Sequence, residues 1–254
     1  MSDKRLNGAA VLVTRPSGQA GELVQAIEAE GGTAVVFPVI DIAPLHPDAV
    51  AAAAHRLKPP DIALFVSRNA VRHGLPYAGS AAIGAIGPAT ARAIEKSGCE
   101  VTIRPETGFD SEHLLASPAL ADVAGQTVRI IRGTTGRELL GKTLAERGAH
   151  VEYLSVYERR LPQYDQAELD AVTAQLERGT IGAITVMSIE SLRNLLALLP
   201  PRGLAALPKV PLVTPAERVI KECHERIPGS RPTLAAGPQA SDMVRAIIAL
   251  AASG

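Results

Sequence analysis

The sequence predicts an α/β protein of two similar parallel-sheet lobes joined by a two-stranded extended linker, and three observations carry that reading. Short β-branched runs alternate with Ala- and Leu-rich segments of helical spacing, the pattern of βα units around a parallel sheet. The segment Glu22–Gly32 aligns on Glu138–Gly148 with Glu, Leu, Ala, Glu and Gly at equivalent places, which marks an internal repeat. Its period is far too long for a solenoid, so two lobes are expected instead of an array. Two Pro-bearing extended stretches also fall at equivalent positions of the two halves.

Taken in order, Ala10–Val13 is the first expected strand, and Leu23, Val24 and Ile27 stripe the helix after it. Thr33–Phe37, Ile62–Val66, Ala82–Ile86, Glu100–Ile103 and Thr127–Ile131 follow as strands. Leu139, Leu140 and Leu144 then stripe the helix that answers the first one. His150–Leu154, Ala183–Met187, Val210–Val213 and Pro232–Ala235 complete the set. Residues 36–45 and 153–162 run past the length of an ordinary parallel strand, and Pro38, Pro44 and Pro162 keep them to edges or crossings. The lobes expected are residues 1–37 with 166–254, and 48–155, with linkers at 38–47 and 156–165. A simple cut near Gly125 is the competing division.

Composition narrows the function. With 46% apolar and 20% charged residues the chain is globular, and 26 Lys plus Arg balance 26 Asp plus Glu, so no global field attracts nucleic acid or an anionic membrane. Aromatics are 3% and Trp is absent, which argues against base-stacking platforms. No apolar run reaches the roughly 20 residues of a membrane helix. The opening residues carry no signal-peptide h-region, so a cytoplasmic protein is expected. Cys99, Cys223 and six dispersed histidines show no metal spacing. Neither GxGxxG nor GxxxxGK[ST] nor GxSxG occurs, so nucleotide binding and serine hydrolysis by those routes lose support.

Ligands of parallel α/β sheets bind outside the carboxyl ends of the strands. Those exits are polar here: Thr14-Arg15-Pro16-Ser17, Ser67-Arg68-Asn69, Gly87-Pro88-Ala89-Thr90, Arg132 to Arg137, Ser188-Ile189-Glu190-Ser191 and Thr214 to Glu217. Hydroxyls at helix starts leave backbone N–H groups for carboxylates or phosphates, although each Ser or Thr also reads as a plain N-cap. Arg15 and Arg132 occupy matching exits in the two repeats, where an Arg stem also serves simply to cover apolar surface. Tyr157 stands out in the second linker, where the lobes are expected to face each other. A phenol with an ordinary pKa near 10 can give a proton to a leaving hydroxyl and stay neutral at pH 7. Its alternative is packing against one lobe.

The ordered set Val11-Leu12-Val13-Thr14-Arg15-Pro16, Phe37-Pro38-Val39-Ile40, Phe65 to Val71, Ala85 to Ala91, Ser155-Val156-Tyr157 and Ala240-Ser241-Asp242 resembles the uroporphyrinogen-III synthase family. The resemblance implies two flavodoxin-like lobes, the first built from both chain ends. It implies cyclisation of linear hydroxymethylbilane with inversion of the last pyrrole ring, loss of water and no cofactor. It places Tyr157 on the tyrosine that assists departure of the hydroxyl, and Thr90, Ser67 and Ser188 on cleft-lining positions. Thr14, Arg15, Asn69, Gly87 and Arg132 join them as expected substrate contacts. Ala216 departs from the family's Ser-Glu-Arg pattern. The expected partner is the small-molecule substrate, with the chain a monomer. A non-catalytic two-lobed binding module is the rival class, and an enzyme of phosphorylated metabolites the second.

Overall fold

A computed structural model of the chain describes residues 5–252. Ten strands occur among them: β1 (Ala10–Val13), β2 (Thr33–Val36), β3 (Asp41–Pro44), β4 (Ile62–Phe65), β5 (Ala82–Ala85), β6 (Thr127–Gly133), β7 (His150–Arg160), β8 (Ile181–Thr185), β9 (Leu212–Thr214) and β10 (Pro232–Leu234). The chain divides into two compact units. One comprises the residues through Asp41 together with those from Arg160 onward, and the other Ile42–Arg159.

The first unit's sheet has the order β10-β9-β8-β1-β2. Counted along that unit alone this is 2-1-3-4-5, the flavodoxin-like doubly wound order, and every pair described in it is parallel. The second unit has the order β3-β7-β6-β4-β5, with parallel pairing from β7 through β5. Its strand β4 is apolar on both faces, as helices on both sides of a parallel sheet require. On β4, Ala63 and Phe65 enter one core cluster while Ile62 and Leu64 enter another. Each Leu, Ile or Phe so buried contributes about 1.5–3 kcal/mol.

The internal repeat explains both sheets at once. β1, β2, β8 and β9 of the first unit correspond to β6, β7, β4 and β5 of the second, so each unit takes two strands from one half of the chain and two from the other. The helices Ser17–Ala29 and Leu139–Glu146 correspond one residue later than the sequence alignment places them. Burial sets that register: Leu23 and Ile27 match Leu140 and Leu144, all at most 2% exposed, whereas Leu139 is 39% exposed. Gly31 and Gly148, at φ 78° and 85°, end the two helices in the left-handed conformation.

Two other expectations change. Glu100–Ile103 is no strand, only an isolated parallel bridge from Ile103 to Gly84, because Pro105 and Gly108 leave the chain no room to extend a ladder. The strand begun at His150 does not stop at Leu154 but runs to Arg160, since Leu154 and Val156 continue its buried alternation. Pro44 sits on the outermost strand of its sheet, where no ladder donor is needed.

Candidate active site

Tyr157 is placed by an irregularity in β7. The strand keeps register with β6 from Thr127 opposite His150 to Arg132 opposite Ser155, then jumps to Gly133 opposite Tyr157. Val156 is the extra residue of a β-bulge, a device that re-aims the side chain after it. Strict alternation would send Val156 and Tyr157 to opposite faces. Instead Leu154, Val156 and Tyr157 all enter one core cluster, with Tyr157 only 7% exposed.

The phenol is held at both ends. A Cβ at Gly133 would stand 2.8 Å from its ring Cε2 and 2.9 Å from Cζ, so the missing side chain makes the ring's seat. Its hydroxyl lies 3.1 Å from Ser67 Oγ. Ser67 follows β4 in extended backbone and caps the helix Arg68–Gly74, accepting the Ala70 N–H at 3.0 Å. One hydroxyl thereby joins a helix start to a neighbouring element's phenol.

Tyr157 and Ser67 line a cavity of about 260 Å³ with Arg132, Arg137, Arg159, Ser111 and Thr135, over an apolar wall that includes Ile86, Ile130 and Leu140. Arg132 is 7% exposed, pairs with Glu138 at 3.0 Å and lies 5.0 Å over the Tyr153 ring. Burial first, and then Glu138, pushes the Tyr153 phenol above its ordinary range. Arg137 pairs with Glu112 at 3.5 Å and stays exposed. Three guanidinium groups with four hydroxyls can bind a carboxylate and leave a proton donor beside it. Arg129, on the same strand as Arg132, has a different part: its guanidinium donates to the carbonyls of Tyr77 and Lys58 and pairs with Glu152 at 3.2 Å, deep in the core.

Of the residues expected to meet substrate, the structure brings Tyr157, Ser67 and Arg132 together. Gly87 lines a neighbouring cavity of about 100 Å³ beside Phe109, which is 70% exposed. Asn69 is half-buried in the first turn of the helix that Ser67 caps, and Thr90 is 4% exposed in the helix Pro88–Glu95. The other three lie in the first unit. Thr14 is 1% exposed and donates to the Thr185 carbonyl at 2.5 Å; Arg15 donates to the Pro238 carbonyl at 2.5 Å. Ser188 caps the helix Ile189–Leu198 by accepting the Ser191 N–H at 3.1 Å. Sequence reasoning did not single out Arg137, Arg159 or Ser111. The runs Arg132 to Arg137 and Glu158-Arg159-Arg160, each ending a strand in charge, were the available signal.

A larger cavity, about 560 Å³, belongs to the first unit and is lined by Ser17, Pro38, Asp41, Arg160, Tyr164 and Glu168 among others. Several of its polar groups are paired. Arg160 pairs with Asp41 at 2.8 Å, and Tyr164 donates to the Pro38 carbonyl at 2.8 Å while stacking on Phe37. Burial, with Glu168 and Asp41 nearby, pushes the Tyr164 phenol up to about 12. What distinguishes the smaller cavity of the second unit is its lining, with three arginines against the single Arg160 here.

Two doubly wound units, one with a seated phenol beside an arginine-lined cavity, define an α/β protein whose second unit carries a candidate site for an anionic group. The family model described as uroporphyrinogen-III synthase HemD matches residues 21–244, and the chain belongs to that family. It is 34% identical over 203 residues to the uroporphyrinogen-III synthase of Escherichia coli K12, covering 75% of this chain and 80% of the relative. Among solved structures, the uroporphyrinogen-III synthetase of Helicobacter pylori superposes with a TM-score of 0.61 at 14% identity, covering 96% of this chain and 99% of that one. A mutant uroporphyrinogen III synthase of the extremely thermophilic bacterium Thermus thermophilus gives 0.59 at 19% identity, covering 97% and 100%. These two likenesses concern the fold. Among the described residues, no helix is long and apolar enough to cross a membrane.

Proposed function

We propose that this chain closes hydroxymethylbilane to uroporphyrinogen III, with Tyr157 as the group that protonates the departing hydroxyl. The observation that supports it most is Tyr157 itself, lining an arginine-lined cavity with its ring held in the core and its hydroxyl beside Ser67. At about 260 Å³ the cavity is smaller than the ~300–1,000 Å³ of pockets that enclose a drug-sized ligand. It suits one pyrrole ring with its acid arms, the arms meeting Arg132, Arg137 or Arg159 and the ring face meeting the apolar wall.

In this reading the terminal C–O bond breaks as the pyrrole nitrogen's electron pair moves in, giving a protonated azafulvene. The phenol proton leaves with the hydroxyl as water. The last ring attacks through its substituted carbon, passes through a spiro intermediate and closes the other way round. The proton lost from the newly bonded carbon then returns to the phenolate. Most of the work is positioning, since a flexible chain held in a ring-like pose gains effective concentration.

Hydroxymethylbilane left alone closes to the symmetric type I ring, so the product isomer is the test. Added protein is expected to divert product to type III in proportion to its amount, and Tyr157→Phe to slow that diversion about 10- to 100-fold with the fold intact. An unaltered isomer ratio at high protein concentration would leave the binding-module reading instead.

A further inference from the structure

We infer that Ser67 is the positioning residue of Tyr157, donating to the phenol oxygen instead of contacting substrate; this rests on Tyr157 being the proton donor. Ser67 Oγ accepts the Ala70 N–H at 3.0 Å, which fixes the side chain's rotamer and leaves its one hydrogen to give. Tyr157's oxygen stands 3.1 Å away to receive it. If the phenol were the donor of that bond, its proton would point at the helix start and not at the cavity. With Ser67 donating, the phenol proton is free to face the cavity that both residues line.

The arrangement also discriminates between states. Once the proton has left, the same Ser67 O–H bonds a phenolate, and charge-assisted hydrogen bonds are roughly twice as strong as neutral ones. A bond that strengthens as the reaction proceeds lowers the barrier, whereas one equally strong throughout does not. Gly133 beneath the ring and the bulge at Val156 keep the oxygen from swinging away from Ser67.

The test is a double-mutant cycle in steady-state kinetics with hydroxymethylbilane. Ser67→Ala is expected to lower kcat about tenfold, the worth of a hydrogen bond to a charged group, with KM changed less than about twofold. In the Tyr157→Phe background the same change should lower kcat no further. The helix cap is lost in both backgrounds, so its contribution cancels. Ser67→Thr, which keeps acceptor and donor, should restore most of kcat. If Ser67→Ala does not fold, Ser67→Gly, which weakens an N-cap far less than Ala does and has no hydroxyl hydrogen to give, takes its place in the cycle. An equal fall in both backgrounds, or a raised KM with unchanged kcat, overturns the inference and leaves Tyr157 as proton donor. An unchanged kcat for Tyr157→Phe overturns the reading of Tyr157 itself.

Discussion

The two units share a frame and differ in what stands at equivalent places. Arg15, just past β1, answers to Arg132 near the end of β6, yet Arg15 donates to a backbone carbonyl while Arg132 pairs with Glu138 and lines a cavity. Ser188 and Ser67 cap corresponding helices, each accepting the N–H three residues on. Their hydroxyls then part ways: Ser188 meets Ser191 Oγ at 3.0 Å, and Ser67 meets a phenol. Where Tyr157 follows Val156, the first unit has Ile40 after Val39, buried at 2% exposure. In the first unit, then, these groups bond to backbone carbonyls or to a neighbouring serine, whereas in the second Ser67 and Arg132 line a cavity with a phenol. The two units thus keep the same cap, and an aromatic residue beside the bulge is what gives the Ser67 hydroxyl a phenol for a neighbour.

The comparison can be broken most severely at Gly133. Gly133→Ala places a methyl against the Tyr157 ring and is expected to cost about 100-fold in kcat, as a displacement near 1 Å can. Normal kinetics in a folded variant would show that the seat is unimportant. Next in size is Thr14→Val, which keeps the shape and removes the buried bond from β1 to the Thr185 carbonyl. Denaturant unfolding should show a loss of about 1–2 kcal/mol, and a value near zero would mean that the bond does no structural work. Smallest is Ser188→Ala, expected to cost about 1 kcal/mol of stability as a lost N-cap, with kcat changed less than by Ser67→Ala. A larger kinetic effect at Ser188 would erase the asymmetry between the units.

Much of this was legible beforehand for a physical reason. Val11 to Val13 and Ile62 to Phe65 are continuous apolar runs because both sheet faces are covered, and such runs announce themselves. The repeat showed in identities, but its register needed burial, because Leu139 and Leu140 look alike in sequence and only one faces the core. Glu100–Ile103 had strand composition but pairs with its neighbour β5 only at its end, around Ile103. Tyr157 was identifiable as a residue, yet its setting was not: a one-residue bulge leaves no periodic trace, so a position expected in a linker proved to be core. Arg137 and Arg159 were missed since a surface arginine and a cavity arginine have the same sequence signature.

The exchange of halves between the units has a consequence for the order in which they can be completed during synthesis. β1 and β2 are made first and can pair with each other, but the other neighbour of β1 is β8, Ile181–Thr185. Two strands alone are marginal. Meanwhile every strand of the second sheet has emerged by Arg160, so that unit can close while the earlier one waits. At ~5–20 residues per second the wait is on the order of ten seconds. Throughout it the apolar edge Val11-Leu12-Val13, wholly buried in the finished protein, stands open on the ribosome to aggregation or chaperone capture.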